Sequence, residues 1–447
     1  MNNSLIYDFR YPFSSGIDFF TGLYFLNLEA LHLTIGYLLL VYLIIKVFID
    51  KNLELTLKFS VIYFAATIFN NPAYSFGVTI AEIFGIMAAV IHIKSLKISN
   101  NKITMFMILF FVVSLIHLLL IAVFSNLILE SISIMRIAVI AKIIVLSLNI
   151  SILFHYIKSM VKIEIFIKYM IYFVNVVAIS YLIQILVFVS GILPYGSFSP
   201  AGWSESIIPS FGATSIERGH LGKFFVPLFP LYLYAFNTFG YRKSFILFLL
   251  ISFLNFSASA YAFLFSYLIL TMILFGVELK KIIFLFLFSI SVVLFYFSEQ
   301  ITTLIMKIYQ LAIEQDNSGG RSFSLIFDVW NNFPFGYGYG GSTFRNLHGI
   351  EGLDLNNAIV VFFGQLSILA PFMIIALLYT FCSLYKNYAM QTTDKFLKKL
   401  LLMSMIVMLV IFAADSLWFT TTIWIPLIVF IIIIHVQKRN LVENNLR

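Results

Sequence analysis

The chain has 447 residues, of which 61% are hydrophobic and only 11% are charged. Soluble proteins average about 25% charged residues, so this composition excludes an ordinary soluble domain and predicts a membrane protein. The formal net charge is +8, but the cations stand in short clusters between apolar runs, which argues against nucleic acid as a partner. The single cysteine, Cys382, excludes an internal disulfide and a multi-cysteine metal site.

Apolar runs of membrane-spanning length follow one another along the chain. A spanning helix needs about 20 mostly apolar residues, and because run ends are known only to within a few residues, we predict about 12 to 14 spans. The runs lie at about 29–48, 55–70, 76–93, 103–125, 132–156, 167–190, 223–240, 244–258, 260–277, 282–298, 356–382, 397–414 and 417–436. The predicted fold is an all-α, polytopic integral membrane protein in which residues 1–447 form a single membrane domain.

Lysine and arginine occur in alternate connections between these runs. The clusters comprise Lys46, Lys51 and Lys58; Lys94, Lys97 and Lys102; Lys158, Lys162 and Lys168; Arg242 and Lys243; Lys280 and Lys281; Lys386, Lys395, Lys398 and Lys399; and Lys438 and Arg439. Cytoplasmic loops of membrane proteins carry such an excess of cations. The intervening connections are nearly free of cations and include two long ones, 191–222 and 299–355, which we therefore predict to be extracytoplasmic.

The larger of these loops contains the longest polar, glycine-rich segment of the chain. Residues 317–342 read NSGGRSFSLIFDVWNNFPFGYGYGGS. A helix over 321–333 would place Arg321 and Asp328, seven residues apart, on one polar face, and the glycines after it favour an adaptable loop. We expect function to concentrate there, because the chain has few other places for water-facing chemistry.

Three segments carry a family resemblance. Arg321 and Trp330, followed by PFGYGYG at 334–340 and LNNAI at 355–359, resemble the large periplasmic loop of the O-antigen polymerase and ligase superfamily. The segment ERGHLGKFF at 217–225 resembles its other loop. The segment FSASAYA at 256–262 is similar to its small, polar interruption between two short helices. The resemblance extends from about residue 180 to the C-terminus.

This resemblance implies an activity at the outer face of the bacterial cytoplasmic (inner) membrane. Proteins of this family move a glycan from an undecaprenyl-diphosphate carrier onto an acceptor without a nucleotide, a metal or another cofactor, and their loop arginines are thought to hold the diphosphate. The implied partners are undecaprenyl-diphosphate-linked glycans, membrane lipids and a chain-length regulator protein, with no nucleic acid.

Arg218 and Arg321 stand at the matching motif positions. A guanidinium binds a diphosphate bidentately and stays charged, which suits a leaving group that gains negative charge. Lys223 and Arg345 are further cations in the same loops. The alternative for any one of these residues is a solvated side chain or a contact with a lipid headgroup.

Glycosyl transfer also needs an acceptor for the proton of the incoming hydroxyl. The candidates in the long loops are Glu217, His220, Asp328, His348, Glu351 and Asp354. For Asp328 we favour an ion pair that orients Arg321, and lone histidines are more often structural. Trp330, Tyr337 and Tyr339 are candidates for stacking on sugars, with an interfacial aromatic belt as the alternative.

Within the predicted spans, Arg136 is costly unless it is paired. Its predicted depth matches that of Glu82, so the two can form an ion pair. A structural pair is one interpretation, and a lining for the groove that admits the lipid diphosphate is the other.

The start of the span after the large loop separates polymerase from ligase. Ligases of the superfamily begin it with a His-Asn pair, whereas this chain has Asn356 and Asn357, with His348 eight residues earlier. The missing histidine favours a polymerase that joins carrier-linked repeat units. A ligase remains an alternative, as do a lipid-linked oligosaccharide flippase, for which no internal repeat is evident, and a non-enzymatic scaffold.

Overall fold

A computed structural model describes residues 31–69, 80–92, 102–124, 134–190, 213, 218–255, 257–276, 363, 366–390, 392–414 and 421–445. These parts of the chain are helical and contain no β-strand. The described helices are α1 (Leu31–Ile49), α2 (Leu55–Ala66), α3 (Ile80–His92), α4 (Lys102–Phe124), α5 (Ile134–Tyr156), α6 (Met160–Val189), α7 (Arg218–Phe225), α8 (Phe229–Phe239), α9 (Arg242–Leu254), α10 (Ala258–Phe275), α11 (Ala370–Leu384), α12 (Lys395–Ala414) and α13 (Thr421–Asn445).

The predicted all-α class is confirmed for the described residues. Each predicted run except 282–298, which lies outside them, overlaps at least one described helix. Three of the described helical segments are long and apolar enough to cross a membrane, namely Met160–Val187, Ser367–Ala389 and Thr421–Asn440. Helix α1 also exposes Leu38, Val41 and Ile45 on one face, an apolar stripe suited to lipid. These features support a membrane protein.

Several helix boundaries differ from the predicted runs. Helix α6 begins seven residues before the run 167–190, and α13 ends nine residues after the run 417–436. The predicted span 55–70 contains the helix α2, which has only 12 residues and ends at Ala66. The hydroxyl of Thr67 then donates to the carbonyl of Phe64 at 2.6 Å. The helix predicted from residue 223 begins five residues earlier, at Arg218, so positions 218–222 of the predicted loop are helical.

Contacts group the chain into two compact units, and the single membrane domain stays a prediction. Unit 1 comprises Met1–Phe84 and Met160–Gln315, and unit 2 comprises Gly85–Ser159 and Asp316–Arg447. In unit 1, α6 is the central helix, and α1, α2, α8 and α9 pack against it. The core of this unit is apolar along α6, where Ile167, Ile171 and Val174 are fully buried.

Several polar contacts of unit 1 cluster where α6 begins. Lys162 forms an ion pair with Glu54, with Nζ 2.6 Å from Oε1. Two turns after Lys162, the hydroxyl of Tyr169 donates to Oδ2 of Asp50 at 2.9 Å. These contacts join the start of α6 to the turn between α1 and α2, two connections that the cation clusters placed on the same side of the membrane.

The connection between α8 and α9 reaches the same region. Tyr172 lies between two ammonium groups, with Lys46 Nζ 5.4 Å and Lys168 Nζ 5.8 Å from its ring centroid. Burial and the neighbouring Tyr172 and Glu164 raise the pKa of Tyr241, which precedes α9. Three predicted cytoplasmic connections thus meet at one end of unit 1, which we call the basic end.

Helix directions within unit 1 follow from paired contacts. The ring centroids of Phe225 and Phe248 are 4.7 Å apart, and those of Phe236 and Phe245 are 5.2 Å apart. As the chain advances along α7 and α8 it therefore moves backward along α9, so these helices are antiparallel. Gly240, with φ of 74°, ends α8 in the left-handed conformation that turns the chain into α9.

Helix α10 runs in the same direction as α7 and α8. Its residue Ala260 lies against Gly222. Seven residues later, the hydroxyl of Tyr267 donates to the carbonyl of Pro227 at 3.2 Å. The first turns of α7 and α10 are therefore side by side and point the same way.

A polar network ties α6, α8 and α9 together. The buried Tyr232 donates to Oδ1 of Asn175 at 3.1 Å, and Nδ2 of Asn175 donates to Oγ of Ser244 at 2.9 Å. Further along, the hydroxyl of Tyr181 donates to the carbonyl of Leu254. The order of these partners is the same on both helices, since Asn175 precedes Tyr181 on α6 and Ser244 precedes Leu254 on α9. Helices α6 and α9 are therefore parallel.

Unit 2 is built around its own helices. Helix α4 packs against α5 and α11, and α12 packs against α13. Trp424 is fully buried, with its ring close to Phe106, Phe381 and Phe412. Nδ2 of the buried Asn149 donates to the carbonyls of Gly85 at 3.0 Å and Val145 at 2.8 Å, whereas its Oδ1 has no hydrogen-bond partner among the described residues.

Candidate functional site

Four of the predicted site residues fall on described helices. Arg136 lies in the first turn of α5, and Arg218, His220 and Lys223 lie on α7. The others lie outside the described residues, so their positions stay predictions: Glu217, Arg321, Asp328, Trp330, Tyr337, Tyr339, Arg345, His348, Asn356 and Asn357. The structure therefore bears on the first of the two arginine segments.

Arg218 is the first residue of α7. The first turn of a helix has unsatisfied backbone N–H groups and carries a positive partial charge. His220 is in the same turn, and the half-buried Lys223 follows one turn later. The sequence RGHLGKFF contains two glycines, and glycine disfavours helix, so packing against α10 stabilises this helix.

Helix α7 begins at the end of unit 1 opposite the basic end. On α6, Gln184 is 22 residues beyond Lys162, a distance of about 33 Å at about 1.5 Å per residue. Its Oε1 accepts a hydrogen bond from the backbone N–H of Ala213 at 2.8 Å, five residues before Arg218. The separation of the two ends matches the hydrocarbon thickness of a bilayer, about 30 Å.

The break between α9 and α10 lies beside α7. Helix α9 ends at Leu254, and α10 begins at Ala258 after the N-cap residue Ser257. The resemblance places a polar interruption between two short helices at 256–262, whereas in the structure the break is confined to the residues between Leu254 and Ala258, and residues 258–262 belong to α10.

Two tyrosines satisfy the backbone at this break. The hydroxyl of Tyr261 donates to the carbonyl of Phe253 at 2.6 Å, and Tyr181 donates to that of Leu254. Carbonyls at the end of a helix have no intrahelical partner, and in an apolar environment they must be bonded. The break is thus a well-supported feature of the fold.

Gly222 allows α7 to approach this break closely. A Cβ atom at position 222 would lie 2.4 Å from Cβ of Ala260 and 2.6 Å from Oδ1 of Asn255. Both distances are shorter than any normal contact, so only glycine fits. Position 218 lies one helical turn before position 222 on the same face of α7, which puts Arg218 on the face of α7 that meets the break.

Asn255 is the residue that the sequence analysis missed. Its side chain is 2% exposed, and among the described residues neither Oδ1 nor Nδ2 has a hydrogen-bond partner. Almost all buried polar side-chain atoms in proteins are hydrogen-bonded, so this amide is unusual. The available signal was an asparagine at the end of an apolar run, directly before the quoted segment FSASAYA.

The predicted pair of Glu82 and Arg136 stays a prediction. Glu82 lies in the first turn of α3 and Arg136 in the first turn of α5. Among the described residues, no cluster of three or more His, Cys, Asp or Glu side chains has an arrangement that would hold a metal ion.

Comparison with known proteins adds no family. No protein-family model matches the chain. A comparison with curated proteins finds no match either.

Proposed function

We propose that this protein is a surface-polysaccharide polymerase of the bacterial cytoplasmic membrane, of the O-antigen polymerase kind. It joins undecaprenyl-diphosphate-linked repeat units at the outer face of the membrane. The bond between the donor's anomeric carbon and the carrier diphosphate breaks, and a bond to an acceptor hydroxyl forms. The acceptor loses its proton, and the carrier diphosphate leaves with the negative charge.

The observation that carries the proposal is the position of Arg218. The basic end of unit 1 corresponds to the cytoplasmic side under the positive-inside rule. Arg218 begins α7 five residues after Ala213, which bonds Gln184 at the opposite end, and Gln184 is about 33 Å from Lys162 along α6. An arginine there meets carrier-linked glycans at the outer face, where surface polysaccharides are assembled.

The surroundings of Arg218 suit a diphosphate. A guanidinium binds phosphate oxygens bidentately, and the N-terminus of a helix is a general phosphate-binding feature. Arg321, from the second long loop, is proposed to bind the same diphosphate from its other side. Together these groups stabilise the charge that develops on the leaving group.

Replacing the arginines tests the proposal. Each charge-assisted contact contributes about 1.5 to 3 kcal/mol, so Arg218→Ala or Arg321→Ala should lower turnover about 10-fold to 100-fold or more. Lysine should rescue poorly, because an ammonium does not reproduce the bidentate fork, and Arg345→Ala should be milder. The matched control is Arg242→Ala, which removes an exposed arginine at the basic end and should leave the polymer unchanged.

The readout is polymer chain length in cells, together with conversion of purified lipid-linked repeat units, at matched membrane abundance of each variant. Near-normal polymer from both Arg218→Ala and Arg321→Ala proteins would remove the diphosphate site. In a deletion strain, a single repeat unit should remain attached to its final acceptor. Long unattached carrier-linked polymer would instead identify a ligase, and repeat units retained on the cytoplasmic side would identify a flippase.

A further inference from the structure

The unpartnered amide of Asn255 needs a physical explanation. The side chain is 2% exposed and sits at the break between α9 and α10, where both of its polar atoms lack a hydrogen-bond partner among the described residues. A buried donor and acceptor left unpaired lower the stability of a fold. Such a residue persists where its polar atoms have another use.

A structural role for this amide is already filled by other groups. The carbonyls freed at the end of α9 accept hydrogen bonds from the hydroxyls of Tyr181 and Tyr261. The amide of Asn255 is therefore not needed to cap α9. It also does not cross-link helices in the way that Asn149 bonds a carbonyl of α3 from α5.

The field around Asn255 favours an anion. The first turns of α7 and α10 lie side by side and point the same way, as the contacts of Gly222 with Ala260 and of Pro227 with Tyr267 require. The positive partial charges at the N-termini of α7 and α10 therefore favour an anion in the same region beside Asn255. The side chain of Ser257, the N-cap residue of α10, forms no capping hydrogen bond, so the first N–H groups of α10 receive no acceptor from it.

The depth of the break indicates how the anion arrives. The carbonyl of Leu254 at the end of α9 accepts a hydrogen bond from Tyr181, which is 19 residues beyond Lys162 on α6, about 28 Å at about 1.5 Å per residue. The break therefore lies near the outer boundary of a hydrocarbon layer that begins at the basic end. A phosphate carried on a lipid is held at this level by its own apolar tail.

We propose that Asn255 and the first turns of α7 and α10 form a phosphate subsite that binds one phosphate group of a polyprenyl diphosphate. Nδ2 of Asn255 donates to a phosphate oxygen. Gly222 keeps α7 close enough for this arrangement. The inference rests on the proposed function in its choice of ligand, because Arg218 precedes Gly222 by one turn on the same helix face.

The test uses the purified full-length protein in lipid nanodiscs. We measure affinity for undecaprenyl diphosphate, phosphatidylglycerol and inorganic pyrophosphate by native mass spectrometry, and the melting temperature without ligand. Asn255→Leu should weaken undecaprenyl diphosphate binding at least tenfold. It should also raise the melting temperature, because an apolar side chain of similar size replaces an unpaired amide.

Asn149→Leu is the matched control. It removes an amide whose Nδ2 bonds the carbonyls of Gly85 and Val145, so it should lower the melting temperature and leave diphosphate affinity unchanged. Asn255→Ser is a second variant that retains a small polar group, and it should fold and bind the diphosphate more weakly than wild type.

Each outcome decides the proposal. Unchanged undecaprenyl diphosphate affinity in folded Asn255→Leu protein would overturn it, and so would a loss of folding in both Asn255 variants, which would mark a structural residue. Equal or tighter binding of pyrophosphate or phosphatidylglycerol would overturn the assignment to a lipid-carried diphosphate. If polymer persists in the deletion strain while Asn255-dependent binding is measured, the polymerase assignment fails and the subsite stands.

Discussion

Gly222→Ala tests the close contact between α7 and α10 on which the candidate site depends. The new Cβ would lie 2.4 Å from Cβ of Ala260, whereas carbon atoms normally approach to about 3.5 Å or more. The two helices must therefore separate by about 1 Å. Both atoms are attached directly to helix backbones, so no side-chain rotation can relieve the clash.

The expected cost follows from two opposing effects. Overpacking a well-packed interior costs about 1 to 3 kcal/mol, and the rigid partners favour the upper value. Replacing glycine by alanine within a helix stabilises the helix by about 1 kcal/mol. The free energy of unfolding should therefore fall by about 2 kcal/mol, which corresponds to a melting temperature lowered by about 4 to 8 °C.

A second substitution separates this clash from other effects. Ala260→Gly removes the atom that the new Cβ meets, so in a double-mutant cycle it should offset more than half of the loss. Ser266→Ala on α10 is the control, because Oγ of Ser266 bonds only the carbonyl of Ala262 in its own helix. The measurement is the temperature at which half of the detergent-solubilised protein remains monodisperse. A Gly222→Ala protein as stable as wild type, with purely additive effects in the cycle, would refute the contact.

Two further predictions address topology and packing. In a Cys382→Ser background, cysteines introduced at Ser204 and Ser342 should react with an impermeant thiol reagent on intact cells. A cysteine introduced at the exposed Lys243 should react only after permeabilisation. The opposite labelling pattern would reverse the predicted orientation. Tyr232→Phe should lower the free energy of unfolding by about 1 kcal/mol, because it deletes the bond to Oδ1 of Asn175, and a Tyr232→Phe melting curve identical to that of wild type would show that this network contributes no stability.

Most helix positions were predictable because apolar runs and cation clusters act locally along the sequence. The run predicted at 103–125 and the helix Lys102–Phe124 differ by one residue at each end, since the cation at one end and the apolar run itself mark the limits. The clustering of Glu54, Lys162 and Asp50 at the basic end likewise agrees with the alternation of cations.

The boundaries and contacts that depend on packing were not predictable. The helical start at Arg218 lies in a segment whose glycines favour a loop, and contacts of α7 with α10 and of Phe225 with Phe248 on α9 stabilise it as a helix. The break at Asn255 is supported by Tyr181 and Tyr261, whose hydroxyls donate to the carbonyls of Leu254 and Phe253. Such contacts between separate elements leave no pattern in a single sequence. The predictions for the second arginine segment, 317–342, remain predictions.

The position of α9 has a consequence for the surrounding bilayer. Ile246 and Leu250 are exposed one turn apart on this helix, a stripe that faces lipid tails, and the helix ends after Leu254. Lipid tails packed along this stripe place their headgroups level with the break, so the break is open to lipids from the side rather than only from the water above it.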